Sequence, residues 1–163
     1  MESTYDVFGS ANLPGFWSSF FGSGKPAVAL EPEVAGNQAV ESGKRRILVV
    51  EDHADTLRSM KLLLRRLGYE VLTAENMNDA LRLAEEEQFD ILLSDIGLPD
   101  GSGLELLRRI RQRRDVPALA LSGFGMDEDL ERSRDAGFSD HLTKPVSIDQ
   151  LQAAIAHLDE KLG

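Results

Sequence analysis

The sequence predicts an α/β fold, a single doubly wound parallel sheet covered by helices on both faces. Three observations carry the prediction. Short apolar runs alternate five times with segments of helical periodicity, and the connections between them are short. The runs are continuous rather than alternating, as in strands buried on both faces. Polar, chemistry-bearing residues stand at the ends of those runs, where an open α/β sheet places its ligands.

In chain order, residues 1–44 read as a disordered or linker tail, rich in Gly, Ser, Pro and Ala and without persistent periodicity. Phe16-Trp17-Ser18-Ser19-Phe20-Phe21 stands out there as an aromatic cluster: a segment packed casually on the domain, a remnant of an upstream module, or a short docking motif for a partner or a membrane surface. The folded domain is expected over 45–161. Ile47–Val50 forms the first strand and ends in Glu51-Asp52. Leu57, Met60, Leu64 and Leu67 make one face of the first helix, with Asp55 or its neighbour as cap and Gly68 at its end. Glu70–Ala74 is the second strand, and Ala80, Leu81 and Ala84 mark the second helix.

Asp90–Ser94 is the third strand, delivering Asp95 at its carboxyl end before the turn signal Pro99-Asp100-Gly101. Leu104, Leu107 and Ile110 line a third helix, whose arginines Arg108, Arg109, Arg111, Arg113 and Arg114 read as a solvated face. Val116–Leu121 is the fourth strand, ending at Ser122-Gly123. Met126–Ala136 is a weakly anchored helix closed by Gly137. Phe138–Leu142 is the fifth strand, followed by Thr143-Lys144-Pro145, and Ile148, Leu151, Ile155 and Leu158 line the last helix.

Bulk composition excludes several classes. The chain has 163 residues, a net charge of −10 and no cysteine. An acidic chain is a poor general ligand for nucleic acid. Thiolate chemistry, disulfides and zinc ribbons are ruled out. No apolar run reaches membrane-spanning length and no secretory leader is evident, so a cytoplasmic protein is expected.

The site reading rests on convergence. Glu51-Asp52, Asp95, Ser122 and Lys144 fall at the carboxyl ends of four different strands. Taken singly each has a plain structural explanation: acids at a helix start, a strand-end hydroxyl, a loop lysine. Together they describe a phosphoryl-acceptor site. Clustered carboxylates repel one another, and a hard divalent cation relieves that cost. Glu51, Asp52, Asp95 and the Gly97 carbonyl are the expected magnesium ligands. Asp95 is the expected nucleophile, with Lys144 and Ser122 binding phosphoryl oxygens. His53 reads as a partly exposed loop residue, His157 as solvent-facing, and His141 as a half-buried strand residue with one hydrogen bond.

These motifs resemble the receiver domain of two-component response regulators over about residues 45–161. They are Val49-Val50-Glu51-Asp52, Ser94-Asp95 with Leu98 to Gly103, Leu121-Ser122-Gly123 and Leu142-Thr143-Lys144-Pro145. The resemblance implies a CheY-like, flavodoxin-type sheet of order 2-1-3-4-5 and a cis bond before Pro145. It implies that Asp95 takes a phosphoryl group from a histidine kinase or histidine phosphotransfer protein, that magnesium is the cofactor, and that Ser122 is the switch hydroxyl. The family's switch aromatic falls on His141, a departure. The segment from Asp95 to Gly103 is also similar to receivers of hybrid kinases. No output domain is expected after the last helix, so a protein partner is expected to carry the signal. The domain is expected to take part in its own phosphorylation and slow dephosphorylation without being an enzyme. Two enzyme readings fit less well. A dehalogenase-type phosphatase wants an acid where Gly97 stands, and a flavin carrier wants a phosphate loop where Glu51-Asp52 stands. A receiver that no longer takes phosphate would have to lack matched residues, yet all are present.

Overall fold

A computed structural model describes residues 43–123 and 127–163. The aromatic cluster at residues 16–21 and Met126 lie outside the described residues. The elements in order are β1 (Arg46–Val50), α1 (Ala54–Arg66), β2 (Glu70–Ala74), α2 (Met77–Glu86) and β3 (Ile91–Asp95). A small hairpin follows, β4 (Gly97–Leu98) and β5 (Gly101–Ser102), then α3 (Gly103–Arg111), β6 (Ala118–Ser122), α4 (Asp127–Ala136), β7 (Asp140–Thr143) and α5 (Ile148–Leu162).

The five long strands form one parallel sheet of order β2-β1-β3-β6-β7. This is the expected doubly wound α/β topology. The two-residue strands β4 and β5 pair antiparallel apart from it. Successive residues of β1 face opposite sides. Ile47 and Val49 pack with Leu57, Met60 and Leu64 of α1 and Leu151, Ile155 and Leu158 of α5. Leu48 and Val50 pack with Met77 and Ala80 of α2 and Leu106, Leu107 and Ile110 of α3. All five residues of β3 and of β6 are buried, which is why their sequences are continuous apolar runs. Among the described residues no helix is long and apolar enough to cross a membrane.

Several local expectations shift. The N-cap of α1 is His53, whose side chain makes no cap bond because its ring is turned to the neighbouring acids; Asp55 sits in the first turn. Gly68 does end the helix, at φ +97°. In α3 the buried stripe is Gly103, Leu106, Leu107 and Ile110, an i, i+3, i+4, i+7 set, and Leu104 is only partly buried. The glycine at the head of that stripe lets the helix start close against the end of β3, on the face that buries Leu106. The arginines of this region are not uniformly solvated. Arg114 donates to the carbonyls of Ala84 and Glu87 and lies 4.9 Å from the Phe89 ring centroid, and Arg111 donates to the Val116 carbonyl. In α5 Ile148 is exposed at the first turn, and Ala154 takes a place in the core.

Candidate functional site

The carboxyl ends of β1, β3, β6 and β7 come together at one edge of the sheet. The register places Val50 beside Ser94, Asp95 beside Leu121, and Ser122 beside Thr143. Residues from four distant parts of the chain therefore share one rim.

Lys144 is the centre of the site. Its Nζ donates to Glu51 Oε2 at 2.6 Å and to Asp95 Oδ2 at 2.8 Å. Both carboxylates are buried, Glu51 completely and Asp95 at 7% exposure. Such acids need a counter-charge inside the fold. Burial works against the Lys144 charge, but hydrogen bonds to Asp95 and Glu51 and their negative charge outweigh it, so its pKa stands above the ordinary lysine range. The ammonium reaches inward from a loop pinned by the Lys144 N–H on the Ser122 carbonyl at 2.7 Å, and the Lys144–Pro145 bond is cis as expected.

Asp95 is held from a second side by the Gly97 N–H, which donates to Oδ1 at 3.1 Å. Its main chain is packed hard. The Ser94 hydroxyl donates to the Asp95 carbonyl at 2.9 Å, and a Cβ on Gly103 would overlap that carbonyl oxygen. Gly103 is thus required by close approach. The Asp100 carboxylate, one residue before the turn glycine Gly101, accepts from the N–H groups of Met77 at 2.7 Å and Asn78 at 2.9 Å. It pins the loop after Asp95 to the N-terminus of α2, a contact that the reading of Asp100-Gly101 as a plain turn does not contain.

The other acid of the pair is placed differently. Asp52 is exposed beside the buried Glu51. His53 Nδ1 stands 2.8 Å from Glu51 Oε1 and 2.9 Å from Asp52 Oδ1. The Glu51 hydrogen bond, then the Asp52 charge, raises the His53 pKa above the usual imidazole value. Its ring is exposed, as expected of a loop residue, yet it bridges the two acids. The ligand atoms of Glu51, Asp52 and His53 lie within 4.8 Å of one another. That group takes in His53 and not Asp95, whose Oδ2 is held by Lys144; its hard oxygen donors are the carboxylates of Glu51 and Asp52.

Ser122 is buried, and its Oγ lies 2.8 Å from His141 Nε2. His141 is half-buried, and it makes two side-chain hydrogen bonds rather than one, the second from Nδ1 to Ser133 Oγ at 3.0 Å. Burial, opposed by the charges of Asp129 and Asp140, holds its pKa below the ordinary imidazole range. Ser133 is fully buried on α4. No sequence signal marks it, because a serine between two arginines reads as a surface residue. His157 is exposed, as expected.

A doubly wound parallel sheet with a lysine-bridged carboxylate pair at its carboxyl edge defines a class of α/β modules with an acidic site at that edge. Comparison with known proteins narrows the class. Residues 47–156 match the response regulator receiver domain, and the chain belongs to that family, the CheY-like receivers of two-component systems. It is 36% identical over 109 residues to the transcriptional regulatory protein KdpE of Mycobacterium tuberculosis, a match covering 67% of this chain and 48% of that protein. It is 34% identical over 107 residues to the polar-differentiation response regulator DivK of Brucella anthropi, covering 64% of this chain and 87% of that protein. A CheY-like receiver structure from Methanospirillum hungatei superposes with a TM-score of 0.67 at 35% identity, covering 74% of this chain and 99% of that one. The chain spans about half the length of the KdpE regulators it matches. Receiver domains typically bind magnesium and are generally not classical enzymes.

Proposed function

We propose that this receiver, taken as residues 45–161 with 1–44 as a tail, accepts a phosphoryl group on Asp95 from a phosphohistidine of a histidine kinase or phosphotransfer protein. The observation that carries the reading is the Lys144 ammonium bridging Asp95 Oδ2 and the fully buried Glu51. A carboxylate oxygen of Asp95 attacks phosphorus, the phosphorus–nitrogen bond of the donor breaks, and its electron pair leaves with the donor imidazole. The product is an acyl phosphate on Asp95. Lys144 exchanges a carboxylate oxygen for a phosphoryl oxygen as charge develops, and Ser122 donates its hydroxyl to another. Gly97 N–H orients the carboxylate by its bond to Oδ1.

Glu51, Asp52, Asp95 and the Gly97 carbonyl would hold magnesium, which supplies neutralisation of the clustered negative charge. The donor set fits, being hard oxygens on one rim. The domain takes part in its own phosphorylation and dephosphorylation and turns over no separate substrate. The signal leaves through the surface of α4, β7 and α5 to a protein partner, with Ser122 and His141 as switch residues, and the setting is cytoplasmic.

The test is labelling with a phosphorylated histidine kinase or a small phosphoramidate. Wild-type protein acquires a hydroxylamine-sensitive acyl phosphate, and Asp95→Asn acquires none. Undiminished labelling of Asp95→Asn refutes the assignment.

A further inference from the structure

The hydrogen-bond chain Ser122–His141–Ser133 fixes where its protons lie. Ser133 Oγ is 2.8 Å from the Leu130 carbonyl, which can only accept. The single Ser133 proton is therefore used there, and Ser133 Oγ must accept from His141 Nδ1 at 3.0 Å. A neutral ring with its proton on Nδ1 has a bare Nε2. That nitrogen accepts from the Ser122 hydroxyl at 2.8 Å. The Ser122 proton is thus directed into the ring, although the phosphoryl role proposed above needs it on a phosphoryl oxygen.

We propose that His141 is a proton-linked positioning residue: neutral, it retains the Ser122 hydroxyl proton; protonated, it donates from Nε2 to Ser122 Oγ and frees that proton for the phosphoryl group on Asp95. The extra proton comes from solvent, and no bond between heavy atoms changes. Both serines remain satisfied in either state, because Ser133 accepts from Nδ1–H throughout. Protonation of His141 and occupancy of the Asp95 site then favour each other, and the coupling is reciprocal. An aromatic hydrocarbon ring at this position would offer no such coupling.

The surroundings allow titration. Asp129 from α4 and Asp140 from the ring's own strand face it, and both favour the charged form. Strand β6 carries no ionisable side chain. Burial outweighs the two acids, so the free protein holds the ring neutral near pH 7.

This inference rests on Asp95 being the phosphoacceptor, and the experiment separates the two. The full chain, labelled with 15N-histidine, is titrated by NMR with and without beryllofluoride and magnesium, the mimic of the phosphoryl group. The His141 signals are those lost in His141→Gln, or, should that variant not fold, those that remain in a His53→Gln, His157→Gln double variant. The expected free form is the Nδ1–H tautomer. Mimic binding is expected to raise the His141 pKa by about one unit, so that the mimic binds about tenfold more tightly on the acid side of the transition. An Nε2–H tautomer in the free protein, or a pKa that stays or falls in the bound form, overturns the role of His141 and leaves the Asp95 reading intact. If the mimic shifts none of the histidine signals of the wild-type chain, that of His53 beside the acid pair included, both fall.

Discussion

Replacing Gly103 by alanine sets two effects of opposite sign against each other. Gly103 opens α3 with no positive φ, so alanine is conformationally allowed there. By backbone entropy alone the change stabilises by about 0.4–1 kcal/mol. The added Cβ, however, overlaps the Asp95 carbonyl oxygen and stands 2.9 Å from Ser94 Oγ. Neither neighbour can swing away: one is backbone in a fully buried strand, and the other is a buried hydroxyl already bonded to that same carbonyl. Overpacking of a rigid site costs about 1–3 kcal/mol. The expected net result is a loss of about 1–2 kcal/mol. Urea denaturation measures it as a lower midpoint at unchanged slope. The same displacement moves Asp95 against Lys144, so beryllofluoride binding weakens in parallel. A Gly103→Ala protein that is more stable than wild type would refute the close-approach reasoning outright.

Lys144→Met removes the only cation bonded to both buried carboxylates among the described residues. The loss of stability without magnesium is about 2 kcal/mol, less than for a fully enclosed pair because the Lys144 side chain keeps 24% exposure; added magnesium should recover part of it in urea melts. Leu106→Ala should cost about 3 kcal/mol and Leu104→Ala clearly less, because Leu106 is fully buried and Leu104 is not; equal losses would contradict the observed buried face of α3. Desolvation raises the Asp100 pKa, but the Met77 and Asn78 amides outweigh it and hold the carboxyl below the usual range. Its support of α2 is therefore present above the ordinary carboxylate pKa and lost as pH falls through the lower folded value. The urea-midpoint gap between wild type and Asp100→Asn should close from about pH 5 to about pH 3.

Much of this molecule is written in local pattern. Continuous apolar runs, helical spacing and Gly68 and Gly137 at helix ends mark the alternation, because burial on both faces and left-handed helix ends leave one-dimensional traces. The rim residues were legible for a related reason: in a parallel sheet every strand points the same way, so each carboxyl end arrives at one edge. Face and partner are not local. That α3 buries Leu106 rather than Leu104 follows from how near Gly103 lets the helix come to Asp95. That Glu51 is sealed while adjacent Asp52 is exposed is decided where the chain leaves β1: Glu51 lies under Lys144, and Asp52 is already in the loop to α1. Ser133 carries no mark in the chain at all. It meets His141 only because α4 packs beside β7, and the direction of the Ser122 proton is decided there.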